Sequence, residues 1–206
     1  MSQIVLVHGW GYDASLWDAV RALLPRHLDV ATLDLGFYGH EKVGVGGTAD
    51  IAVGHSLGAL WWLTQSPTPW RKLLCINGFP RFTEATDYTP AVAPRVLARM
   101  CQQFRRDPAA VLLDFHARCG GHAPAGTPKV EHLAAGLDWL ADWDGRATLA
   151  TRRADVVALA GSHDPIVPAA MSTMAFGTVE FIDAPGHLLP ITHAKLCAEW
   201  IVRLAA

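Results

Sequence analysis

Three residues of this 206-residue chain have the types and positions for acyl transfer: Ser56, Asp164 and His187. Ser56 sits in Gly54-His55-Ser56-Leu57-Gly58, between the apolar run Ile51–Val53 and the apolar stretch Leu57–Thr64. This reads as a strand, a sharp turn and a helix. Glycines at 54 and 58 remove the side chains that would collide there, and the turn lifts the serine oxygen to the top of a sheet. A serine hydroxyl is a weak nucleophile until a base lies beside it, and the base needs a carboxylate to orient it. Asp164 follows the apolar run Val156–Ala160, and His187 follows Thr178–Ile182. In a parallel sheet the ends of such strands lie along one edge, so residues from distant loops can meet there.

Other residues compete for these roles. Asp183 is on the loop expected to carry His187, and Asp155 precedes its strand, at the wrong edge. His55 lies inside the turn and points away from Ser56, His163 adjoins the acid, and His193 falls on the closing helix. His8 suits a prop for the loop after the first strand better than a base. That loop, His8-Gly9-Trp10-Gly11, is glycine-rich, so its amides can point into open space. An oxyanion needs two backbone N–H groups. Leu57, directly after the serine, would supply one and Trp10 the other. Trp10, Phe79, Phe82, Phe115, Leu188 and Trp139 could wall an apolar acyl pocket, or could simply pack together.

The positioning elements follow from periodicity. Met1–Val7, Val30–Leu33, Ile51–Val53, Leu73–Asn77, Asp155–Ala160 and Thr178–Ile182 read as strands, and the apolar runs in Ile4–Val7 and Asp155–Ala160 suit parallel strands buried on both faces. Helices are expected over Ala14–Leu24, capped by Asp13 or Ser15, over Leu57–Thr64 and over Ile191–Leu204. Between Pro80 and Arg146 no strand-like run occurs. Pro94–Phe104, Pro108–Cys119 and Val130–Leu140 instead show amphipathic helical spacing. The expected architecture is one α/β domain: a mostly parallel sheet flanked by helices, its core over residues 1–80 and 146–206, with a helical cap over about 81–145.

Composition narrows the function classes. Hydrophobic residues make up 51% and charged residues 17%, which suits a packed soluble globule. A net charge of −2 lacks the basic field of a nucleic-acid binder. No apolar run approaches a membrane span, and no secretory segment opens the sequence, so a cytoplasmic location with Cys75, Cys101, Cys119 and Cys197 as free thiols is expected. The ten histidines show no zinc-binding spacing; neither a metal nor a cofactor is expected.

Taken together, these motifs resemble the α/β-hydrolase superfamily along the whole chain. Within it, the sequence is similar to the pimeloyl-carrier-protein methyl ester esterases of biotin synthesis. His8–Gly11 with Trp17, Pro80-Arg81-Phe82, Pro90, Pro94–Leu97, Gln102-Gln103-Phe104, Gly136–Leu140 with Asp144 and Arg146, Gly161–Pro168 and Gly186-His187 carry the resemblance. It implies an α/β-hydrolase fold, a serine carboxylesterase acting on an acyl ester presented by acyl carrier protein, and a substrate tunnel lined over Phe115 to Cys119. The readings that remain beside it are a short-chain carboxylesterase or thioesterase of other substrate, and a non-catalytic hydrolase-fold binding protein. Two departures stand out. A helix usual to the superfamily is missing between His40 and Ile51, which leaves the sheet edge less covered and open to a dimer contact. The helix before Phe115 carries Ala110 and Asp114 where the family is basic. Arg95, Arg99, Arg105, Arg106, Arg118 and Lys129 could still meet an acidic carrier, or form an ordinary solvated face.

Overall fold

The computed structural model describes residues 2–206; Met1, expected in the first strand, lies outside the described residues. Six strands form one parallel sheet: β1 (Gln3–Val7), β2 (Asp29–Leu33), β3 (Ala49–His55), β4 (Trp70–Ile76), β5 (Val156–His163) and β6 (Glu180–Pro185). Their order is β2-β1-β3-β4-β5-β6. The chain starts at β1, steps outward to β2, then returns to β3 on the other side. The direction of winding therefore reverses between β1 and β3, and the loops leaving those two strands diverge there to open a crevice.

Side chains alternate across the sheet. Ile4, Leu6, Ile51, Val53, Leu74, Ile76 and Leu159 face one layer, built from α1 (Asp18–Leu23) and α9 (Ala194–Ala205). Val5, Val7, Ala52, Leu73, Cys75 and Ala158 face the other, built from α2 (Leu57–Thr64) and the segment between β4 and β5. Because both faces are covered, the central strands are apolar where the layers meet them, over Ile51–Val53 in β3 and Leu73–Ile76 in β4. α2 is buried from Leu57 to Leu63, so it shows no polar face at all.

Between β4 and β5 lie α3 (Pro94–Arg106), α4 (Pro108–Cys119), α5 (Val130–Asp142) and α6 (Arg146–Thr151). Pro94 and Pro108 open their helices, where a missing N–H costs nothing, and the Asp107 side chain caps α4 by accepting from the Ala110 amide at 2.9 Å. α6 and α7 (Ala169–Phe176) were not expected from the sequence. The first is short, and the second, Ala-Ala-Met-Ser-Thr-Met-Ala-Phe, has no amphipathic period to reveal it.

Three other boundaries differ from expectation. The helix expected over Ala14–Leu24 is a 3-10 turn (Ala14–Trp17), capped by Asp13, leading into α1. The closing helix is broken at His193 into α8 (Leu189–Thr192) and α9. β6 continues to Pro185, so Asp183 is on a strand and not on the loop of His187. No helix forms over residues 40–51, and β2 is left as a half-buried edge strand. Among the described residues no helix is long and apolar enough to cross a membrane.

Candidate active site

Strand register brings the loops together. Val7 pairs with Gly54, which sets the loop from His8 beside His55 and Ser56. His55 pairs with Ile76, which sets Ser56 beside Asn77, and His163 pairs with Pro185, which sets Asp164 near His187.

The turn at Ser56 is as tight as its glycines suggest. Ser56 has φ 53° and ψ −121°, a conformation that costs a non-glycine residue on the order of 1–3 kcal/mol and persists only where the surroundings enforce it. They do so by close backbone contact. A Cβ on Gly58 would lie 2.4 Å from the Val7 carbonyl oxygen and 2.6 Å from that of His8. One on Gly54 would lie 2.4 Å from the Ala59 nitrogen. Leu57 heads α2, so its amide is among the first-turn N–H groups with no partner inside the helix. Gly9 sits directly against Ser56: its Cβ would stand 2.9 Å from that of the serine.

Asp164 and His187 are buried, at 4% and 1% exposure, and His187 Nδ1 donates to Asp164 Oδ2 at 2.7 Å. That bond fixes the tautomer and leaves Nε2 as the nitrogen that can take a proton. Nε2 makes no hydrogen bond to Ser56 or to any other described residue. In free enzymes this contact is commonly long and tightens with substrate. Asp164 Oδ1 accepts from the amides of Ile166 (2.7 Å) and Val167 (3.0 Å). Burial pushes the carboxyl up, but the His187 charge, its hydrogen bond and these amides outweigh it and hold Asp164 below its ordinary value. The rival acids are engaged elsewhere. Exposed Asp183 lies 3.4 Å from His163, and Asp155 pairs with Arg152 at 2.7 Å.

Sequence reasoning missed Asn77. It follows β4 directly, with φ 48°, and its Nδ2 donates to Asp164 Oδ2 at 2.6 Å, the oxygen that also holds His187. The signal was present: a polar residue ending an apolar strand at the same sheet edge as Ser56 and Asp164. His55 also has a definite task. Its Nε2 donates to the His187 carbonyl at 2.8 Å, and the two rings lie 4.8 Å apart. Burial, then repulsion from the neighbouring His187 charge, lower its pKa to about 3, so it stays neutral. His8 ties the glycine loop to the next one. Its Nδ1 donates to the Gly9 carbonyl at 2.9 Å, while Nε2 accepts the Leu35 amide at 3.0 Å.

Trp10 is 2% exposed. Its indole donates to the Leu133 carbonyl in α5 at 2.8 Å and meets the Phe115 ring edge-on at 4.8 Å. A groove of about 590 Å³ runs between α3 and α4, with Met100, Val111 and Phe115 on its apolar wall and Arg99, Arg106 and Arg118 beside Asp107 and Asp114. Of the expected pocket residues only Phe115 borders it. Phe79 and Phe82 pack on each other at 4.9 Å between ring centres, and Cys119 and Leu188 are buried in the layer against α1 and α9. Ala110 also borders the groove, whereas Arg95, Arg105 and Lys129 do not. No cluster of metal-ligating side chains occurs among the described residues.

This fold recurs in solved structures. An esterase from Exiguobacterium antarcticum superposes with a TM-score of 0.81 over 100% of this chain and 92% of its own, at 16% identity. An enol-lactonase from Burkholderia xenovorans LB400 gives 0.73 over 99% and 91%, at 17% identity. The chain has the α/β-hydrolase fold. No family model matches it. Its sequence is similar to curated pimeloyl-acyl-carrier-protein methyl ester esterases. That of Xanthomonas campestris pv. campestris (strain B100) is 28% identical over 239 residues, covering 98% of this chain and 94% of the relative. That of Legionella pneumophila (strain Corby) is 28% identical over 191 residues, covering 84% and 79%. The 239-residue alignment is longer than this 206-residue chain, so the relative carries residues that have no counterpart here. Together these likenesses support an ester hydrolase.

Proposed function

We propose that this hydrolase is a cytoplasmic serine carboxylesterase whose triad is Ser56, His187 and Asp164, and whose substrate is the methyl ester of a pimeloyl group carried on acyl carrier protein. The observation that carries the chemistry is the buried His187–Asp164 bond of 2.7 Å beside a serine held at φ 53°. His187 Nε2 takes the Ser56 proton as the oxygen attacks the ester carbonyl. The Leu57 and Trp10 amides hold the developing oxyanion. His187 then gives that proton to the departing methoxide, which leaves as methanol. Water, deprotonated by His187, releases the free carboxylate from the acyl-enzyme. No cofactor takes part.

The substrate reading rests on the named relatives and on the groove between α3 and α4, within residues 81–145, which serve as the cap over the core. Its apolar wall suits an acyl chain, and Arg99, Arg106 and Arg118 suit an acidic carrier. A second reading, an esterase or thioesterase for small acyl groups without a carrier, is favoured by Asp107 and Asp114 on the same groove.

The two are separated by kcat/KM for pimeloyl-carrier methyl ester and for free dimethyl pimelate. The first reading predicts a clear preference for the carrier-bound ester, reduced by Arg99→Glu or Arg118→Glu, and growth of a biotin-requiring strain lacking this esterase. Equal rates on both substrates, unaffected by those variants, would leave the second reading standing.

A further inference from the structure

α4 buries a stripe formed by Leu112, His116 and Cys119, and His116 is the polar member of it. The ring is 6% exposed. Its Nε2 donates to the Gly11 carbonyl at 2.7 Å, across 105 positions of sequence. Gly11 belongs to the glycine loop after β1 and directly follows Trp10. It has φ 74°, and a Cβ on it would lie 3.1 Å from the Phe115 ring. One turn of α4 thus touches this loop twice, through a hydrogen bond from His116 and through close packing by Phe115. α5 adds the bond from the Trp10 indole to Leu133, and Gly136 lies so near that a Cβ there would stand 2.7 Å from the indole. On its other side the loop rests on Ser56 through Gly9.

The Gly11 peptide is in a loop, outside the sheet ladder, and its carbonyl accepts from His116. Only one planar peptide unit separates that carbonyl from the peptide carrying the Trp10 amide, so the bond anchors the short segment that presents it. We infer that His116 is a positioning residue for the oxyanion site: through Gly11 it holds the segment whose Trp10 amide receives the oxyanion. A neutral ring protonated at Nε2 has the N–H this bond needs. α4 also borders the groove through Val111, Phe115 and Arg118, so a single helix joins the groove to the oxyanion loop. The inference rests on the proposed reading of Ser56 as the nucleophile, with Trp10 as an oxyanion donor.

The test compares His116→Leu, which deletes the donor, with His116→Gln, whose amide can reach the same carbonyl, and His116→Asn, which is too short. Each is assayed for kcat and KM on a p-nitrophenyl ester. Each is also assayed for serine titratable by a fluorophosphonate and for the Ki of an alkyl boronic acid, whose tetrahedral adduct places an oxygen at the oxyanion site. Leu and Asn should lower kcat about tenfold, the scale of one hydrogen bond, with KM and titratable serine unchanged and the boronate Ki raised by the same factor. Gln should recover most of both. Wild-type kcat and Ki in the Leu and Asn variants would overturn the inference. So would a loss of titratable serine in proportion to kcat, because His116 would then only support folding. Failure of the underlying reading shows separately, as wild-type protein that the fluorophosphonate does not label at Ser56.

Discussion

Asn77 gives a prediction that the geometry makes quantitative. Asp164 Oδ2 receives two donors, His187 Nδ1 at 2.7 Å and Asn77 Nδ2 at 2.6 Å. Replacing Asn77 with glycine removes the second donor and leaves the backbone free to keep its φ of 48°. A hydrogen bond to a charged group contributes about 1.5–3 kcal/mol. Against this, Asn77 Oδ1 is buried without a partner among the described residues, and deleting such an acceptor recovers about 1–3 kcal/mol. The two nearly cancel, so Tm should move by less than about 4 °C, the scale of 1 kcal/mol in a chain of this size. Catalysis should not be spared. With one donor fewer, Asp164 holds the His187 ring less firmly in place. kcat/KM should fall about three- to tenfold as Asp164 loses one of its restraints. The assay is kcat/KM on a p-nitrophenyl ester beside a thermal melt. A wild-type kcat/KM would refute the reasoning.

The turn itself should tolerate no side chain at position 58. Gly58→Ala places a Cβ 2.4 Å from the Val7 carbonyl oxygen, and since both partners are backbone, β1 must move from α2. Activity should fall at least a hundredfold, by analogy with the loss of an oxyanion donor, with destabilisation of about 1–3 kcal/mol in urea. His55 should make the fold acid-sensitive. Its pKa is depressed to about 3 in the folded protein, so its stabilising effect is complete above the unfolded value of about 6.5 and is lost as pH falls towards 3. Unfolding free energy should drop by about 1.4 kcal/mol per pH unit on this account, and His55→Gln should flatten the slope by nearly one proton. Trp10→Phe keeps the packing on Phe115 but deletes the bond to Leu133, and should cost about 1 kcal/mol of stability by thermal melt.

The parts of this site that were legible in the sequence are those set by local chemistry at strand ends. Ser56 stands out because only glycine fits at 54 and 58, and Asp164 and His187 because each follows a strand of the one parallel sheet. What was hidden depends on contacts between distant segments. His116 and Gly11 are 105 positions apart, and nothing in the helical period of α4 says what its one buried polar residue meets. Asp183 was assigned to a loop because its charge interrupts an apolar run. The strand continues through it because its side chain points to solvent, at 95% exposure. The aromatic residues expected to wall a pocket were chosen for their type. Type does not separate Phe115, which borders the groove, from Phe79, which is closed in the core.

The most direct test of the account is the mass of the intact protein after treatment with a fluorophosphonate, read with peptide mapping. The account predicts one adduct per chain, located on Ser56, with loss of ester hydrolysis in step with labelling and sharply slower labelling in His187→Gln and Asp164→Asn. An adduct on another serine, or esterase activity that survives in Ser56→Ala, would contradict it.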